Sequence, residues 1–141
     1  MGELLENIKK EFNIEGPEPN SYSPLTLAFI GDSVFGCIIK TVVVLKGNCC
    51  ANELDKRAVM YVRATSQAKM ADYLLEQELL SDEEANIYRR GRNAKSPSTA
   101  KNASVGDYRK ATGLEALVGY LYLSGRMERV IELMRICVEA V

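Results

Sequence analysis

The 141 residues, 47% of them apolar and 26% charged, make one domain with ample material for a packed core, and a net charge of -1 does not by itself demand a polyanionic partner. There is no histidine, which excludes Ser-His-Asp and Cys-His nucleophilic sites, His-ligated zinc and imidazole acid–base catalysis. Chemistry, if there is any, rests on carboxylates, Lys, Tyr or Cys.

Residues 2–12 predict a short amphipathic helix with Leu4, Leu5, Ile8 and Phe12 on one face. This start is acidic and has no basic region leading into an apolar core, so it does not read as a signal peptide. Glu6 stands where a myristoylation signal needs Ser or Thr. Residues 16–20, Gly-Pro-Glu-Pro-Asn, form a rigid connector, so 1–20 is an N-terminal helix and linker to a single domain spanning 1–141.

Ser23 and Pro24 are an N-cap and a first-turn proline. The helix they open runs to about Lys46 and stops at Gly47-Asn48, with Leu27, Ile30, Val34, Ile38 and Val42 as its stripe. Asp32 and Lys40 interrupt its apolar run, which argues against a membrane span. Asn52 caps a second long helix, about 53–78, whose buried face is Leu54, Ala58, Tyr61, Val62, Ala68, Met70, Ala71 and Leu74. Ser81 with Glu84 is a capping box for a third helix, about 82–90. Residues 89–110 then turn rich in Gly, Asn, Ser, Pro and basic residues, which predicts a long basic connection with a flexible loop at 92–106. From Tyr108 the pattern is helical again through Leu114, Leu117, Val118, Leu121 and Tyr122, ending at Ser124-Gly125, and a last helix covers 126–140. The fold class is all-α. The cysteines, Cys37, Cys49, Cys50 and Cys137, form no C-x-x-C pair; Cys37 and Cys137 fall in apolar patterns that place them in the core, and a reduced, cytoplasmic chain fits this usage.

Two acids break the apolar pattern. Asp32 has Ala28, Phe29, Phe35 and Gly36 one helical turn away, and Glu115 has Ala111, Thr112, Val118 and Gly119. A carboxylate on such a face is desolvated unless a cation or hydrogen bonds compensate; the alternative is an acid at the stripe's edge that reaches water. Gly31, Gly36, Gly113 and Gly119 would let the two helices approach closely enough to share one cation. All-oxygen ligation suits Mg2+ or Mn2+, and beside a cationic stretch that constellation suits phosphodiester hydrolysis.

LAFIGDSVF (27–35) resembles the signature helix L-E-F-L-G-D-A-V-L of the ribonuclease III family, and GLEALVGYLYL (113–123) resembles its later F-E-A-L-x-G-A helix. YVRATSQAK and RRGRNAKS lie close to segments characteristic of the Mini-ribonuclease III group, which is the catalytic domain alone. The resemblance covers about 22–135. It implies an all-α homodimer that cleaves double-stranded RNA to 5′-phosphate and 3′-hydroxyl ends and, for this group, trims the large-subunit ribosomal RNA precursor in the cytoplasm. It makes Asp32 and Glu115 the catalytic, Mg2+-associated acids. Arg89, Arg90, Arg92, Asn93, Lys95 and Lys101 become RNA contacts, because duplex RNA is gripped through backbone and 2′-hydroxyls rather than base edges. Ala28 and Thr112 depart from the full-length family's pattern, which has acids at both positions. That departure leaves a second reading, a non-catalytic double-stranded-RNA-binding dimer with a degenerate site.

Overall fold

The computed structural model describes residues 2–95 and 104–141; Lys101 and most of the expected flexible loop lie outside the described residues. The described residues form seven α-helices and one 3-10 turn: α1 (Gly2–Phe12), the turn Pro19–Ser21, α2 (Pro24–Lys46), α3 (Ala51–Val62), α4 (Ala64–Glu76), α5 (Asp82–Asn93), α6 (Val105–Leu123) and α7 (Met127–Glu139). There is no strand among them, and the all-α expectation holds.

Local chemistry explains most of the boundaries. The Ser23 hydroxyl accepts a hydrogen bond from the Thr26 N–H at 3.2 Å, with Pro24 behind it in the first turn. Ser81 and Glu84 form the reciprocal capping box, at 3.1 and 2.9 Å. Ser104 caps α6 through the Asp107 N–H at 3.0 Å, so the helix begins at Val105, three residues before the expected start at Tyr108. Gly125, at φ 74, closes α6: the Arg126 N–H reaches the Leu121 carbonyl and the Gly125 N–H reaches Tyr122, a Schellman arrangement that needs the left-handed residue.

Other expected boundaries are corrected: α3 begins at Ala51 behind Cys50, so Asn52 lies inside the helix and is not its cap. The long helix at 53–78 is two helices, because Arg63 adopts extended backbone (φ -66, ψ 152) between α3 and α4. Side chains take up the backbone groups freed there: Ser66 Oγ donates to the Met60 carbonyl at 2.6 Å, Arg63 Nε donates to Ser66 Oγ at 3.1 Å, and Gln67 Nε2 donates to the Val62 carbonyl at 2.9 Å. The third helix does not end at residue 90. It continues to Asn93, so Arg89, Arg90, Arg92 and Asn93 stand on helix rather than loop. Gly91 does not break the helix. It is where the backbone of α5 meets that of α6, since a Cβ at this position would lie 2.9 Å from the Gly113 Cα.

α6 is the central element. It packs most extensively on α2, then on α5 and α4, with α7 across its end and α3 against α2. From Ala111 to Tyr122 every residue of α6 is buried except Glu115. A helix surrounded on all sides needs no polar face. By length and apolarity α2 could cross a membrane, but it lies along α6 and lends Leu27, Phe35 and Ile39 to the core. Its buried arc is Leu27, Ala28, Gly31, Val34, Phe35, Ile39 and Val43, one position off the expected stripe, and Ile30, Ile38 and Val42 are only half-buried. Cys137 is in the core as expected, whereas Cys37 is exposed. α1 buries only Leu5; Leu4, Ile8 and Phe12 are exposed.

Away from the crossing, α5 is tied to α7 by charge. The buried Glu84 carboxylate accepts two hydrogen bonds from Arg129, both at 2.8 Å, and these hold its carboxyl below the usual carboxylate range. The same guanidinium donates to the Leu79 carbonyl at 2.8 Å.

Candidate active site

At the α2–α6 crossing the two backbones touch. A Cβ on Gly31 would overlap the carbonyl oxygen of Glu115, and one on Gly119 would overlap the carbonyl of Leu27. Of the four glycines expected to allow this approach, Gly31 and Gly119 make it. Gly113 serves the α5–α6 contact with Tyr88 instead, and a Cβ on Gly36 would meet nothing within 4 Å. Because Asp32 follows Gly31, and Glu115 contributes the carbonyl that Gly31 covers, the two acids meet at the crossing.

Their environments differ from the expected symmetry. Asp32 is exposed, on a face of α2 that also carries Phe29, 80% exposed, and Ser33. Of the two readings open from sequence, the acid at the edge of the stripe is the one the geometry supports for Asp32. Glu115 is the desolvated member. Burial first, and then the hydrogen bond and negative charge of Asp32, push its carboxyl up to about 8, against an opposing hydrogen bond from Gln67. Among the described residues, no cationic side chain is one of the groups that act on Glu115.

That shortage of positive charge is what a bound cation would relieve. The donors are hard carboxylate oxygens, and among the described residues no three or more acids, cysteines or histidines are grouped so as to hold a metal ion. Ala28 is buried, and the Thr112 hydroxyl already donates to the Tyr108 carbonyl at 3.0 Å. The described residues therefore offer two carboxylates, Asp32 and Glu115, which would hold a hard cation that takes its remaining ligands from water, and such a set fits Mg2+ or Mn2+.

Gln67 is a member of this site that no sequence motif marks. It is 3% exposed on α4, and its Nε2 donates to Glu115 Oε2 at 3.3 Å as well as to the Val62 carbonyl. The signal available for it is a carboxamide in the buried stripe of Ala68, Met70, Ala71 and Leu74, where an apolar residue would pack as well.

The basic residues gather at the end of α5. Arg89, Asn93 and Lys95 are exposed, and Arg90 and Arg92 are half-buried. Arg92 donates to Asn93 Oδ1 at 3.3 Å and lies 6.0 Å from the centre of the Tyr88 ring. Arg90 and Arg92 flank Gly91, the glycine pressed on Gly113, and Gly113 lies two residues before Glu115. The structure thus joins this basic turn to the helix that carries one of the two acids.

Comparison with known proteins agrees with the motif resemblance. Residues 25–126 match the family model described as the Ribonuclease III domain. The chain is 47% identical over 118 residues to the Mini-ribonuclease 3 of Brevibacillus brevis, covering 84% of this chain and 87% of that protein. It is 49% identical over 107 residues to the Mini-ribonuclease 3 of Staphylococcus aureus, covering 76% and 80% respectively. A crystal structure of a protein from Fusobacterium nucleatum superposes with a TM-score of 0.77 at 27% identity, covering 88% of this chain and 98% of that one.

Proposed function

The chain belongs to the ribonuclease III family, and from that membership we propose that it is an endoribonuclease of double-stranded RNA, working as a homodimer with Mg2+ or Mn2+ held by Asp32 and Glu115. The reading extends to trimming of the 23S ribosomal RNA precursor in the cytoplasm, with 5′-phosphate and 3′-hydroxyl products; four free cysteines accord with a reduced compartment. The observation that carries it is the meeting of Asp32 and Glu115 at a backbone-tight helix crossing, with no cationic side chain among the described residues acting on Glu115.

When bound, the cation supplies Lewis acidity and offsets charge at phosphorus. The rest falls to the chain. Exposed Asp32 presents its carboxylate where an RNA phosphate can reach it. Half-buried Glu115 would hold the cation through its ionised carboxylate, and its low-dielectric setting would strengthen the attraction. Gln67 keeps its N–H on Glu115 Oε2. Arg90, Arg92 and Lys95, with Arg89, Asn93 and Lys101, hold the phosphate backbone, and that grip weakens as salt rises. Exposed Phe29, one turn from Asp32, is apolar area that a second copy would cover. Phe29→Lys is expected to convert the dimer to a monomer in sedimentation, and an unchanged dimer would remove Phe29 from the interface.

The second reading, a non-catalytic RNA-binding dimer, rests on Ala28 and Thr112, which leave only two carboxylates at the crossing. Incubation of the protein with a long RNA duplex separates the two. Cleavage in Mg2+ that stops with chelator supports the enzyme; binding without cleavage in any divalent metal supports the alternative.

A further inference from the structure

We propose that Gln67 is a positioning residue for Glu115: its buried carboxamide fixes one oxygen of that carboxylate and leaves the other for the cation. The inference rests on the reading of Asp32 and Glu115 as metal ligands. The amide has only one workable orientation. Its two N–H groups meet two acceptors, the Val62 carbonyl at 2.9 Å and Glu115 Oε2 at 3.3 Å, and the flipped amide would set its oxygen against both. The anchor is backbone rather than another mobile side chain. Val62 is the last residue of α3, and its carbonyl is freed by the break at Arg63, which Ser66 and Arg63 themselves staple.

The residue type matters as much as its place. Gln67 Oε1 is buried with no hydrogen-bond partner among the described residues. Leu or Met would fill the same space without an unsatisfied oxygen, so packing alone does not account for a glutamine. Lys or Arg would pair with Glu115 and compete with the cation. A neutral donor orients the carboxylate and leaves its charge available, which is the usual role of a partner behind a metal ligand.

The test uses the full chain, with Mn2+ as probe and no RNA present. Gln67→Met keeps the volume and removes the donor. Gln67→Asn keeps the amide but is one methylene too short to reach both acceptors, and it carries the test if the Met variant does not fold. Either variant, melting as the wild type does, is expected to bind Mn2+ about tenfold more weakly by calorimetry. On duplex RNA, kcat is expected to fall by a similar factor with KM unchanged, and excess Mn2+ to restore most of the rate. A structural role alone would not give that recovery. Asp32→Asn and Glu115→Gln run alongside. If they lose Mn2+ binding while folded Gln67 variants bind and cleave within twofold of wild type, the positioning role is overturned and the acid pair stands. If the acid variants themselves bind Mn2+ as wild type does, the metal reading falls and the role of Gln67 falls with it.

Discussion

The α2–α6 crossing and the basic end of α5 lie on either side of one helix and are built on opposite principles. At the crossing, position comes from backbone contact: Gly31 on the Glu115 carbonyl and Gly119 on that of Leu27 leave no room for adjustment, and the acids inherit that rigidity. At the end of α5 the backbone is also pinned, by Gly91 on Gly113, but the side chains that matter project outward, and Arg89, Asn93 and Lys95 are exposed. The first region fixes where the two acids sit through backbone contact. The second supplies charge whose value depends on ionic strength more than on exact placement. Substitutions in the two regions should therefore fail in different ways.

The largest expected effect is at the crossing. Gly31→Ala places a methyl on the Glu115 carbonyl, so the helices must separate; a loss of about 3 kcal/mol of stability is expected in denaturant unfolding, together with loss of cleavage. An alanine variant that folds and cleaves normally would break the claim that backbone contact sets the site. Next comes joint neutralisation of Arg90, Arg92 and Lys95. Here the melting temperature should hold, KM for duplex RNA should rise by about tenfold or more, and the slope of log affinity against log salt should flatten by about 2. Unchanged salt dependence would take the basic turn out of RNA binding.

The smallest effect sharpens the electrostatics of the crossing. Glu115 is pushed from 4.5 up to about 8, so between those values the folded chain holds a proton that the unfolded chain has released, and stability falls as pH rises through that window. With chelator present, Glu115→Gln should melt a few degrees above wild type at pH 8, and the difference should shrink toward pH 5. Equal melting at both values would mean that Glu115 is not desolvated beside Asp32.

Features with a local cause were legible in the sequence. Ser23-Pro24, the Ser81–Glu84 box and the Ser124-Gly125 stop each act within a few residues, and each is where it was expected. Glu115 was legible because it is the single charge between Lys110 and Arg126. The exposure of Asp32 was not. α2 is apolar on so many faces that its period does not decide which arc turns inward, and α6, far along the chain, makes that choice. The break at Arg63 has neither proline nor glycine to announce it and depends on Ser66 and Gln67 reaching back to carbonyls. The run of α5 past residue 90 was hidden because the contact that accommodates Gly91, with Gly113, is visible only in three dimensions. Gln67 was hidden for the same reason, since its partner Glu115 lies 48 positions along the chain.

The central claim is that Asp32 and Glu115 together make a metal-dependent cleavage site, and the most direct measurement is single-turnover cleavage of a long RNA duplex by Asp32→Asn in saturating Mg2+. The account predicts a variant that melts as wild type, binds the duplex with wild-type affinity and cleaves it at least about a thousandfold more slowly, a barrier increase of about 4 kcal/mol. Cleavage at the wild-type rate would contradict it.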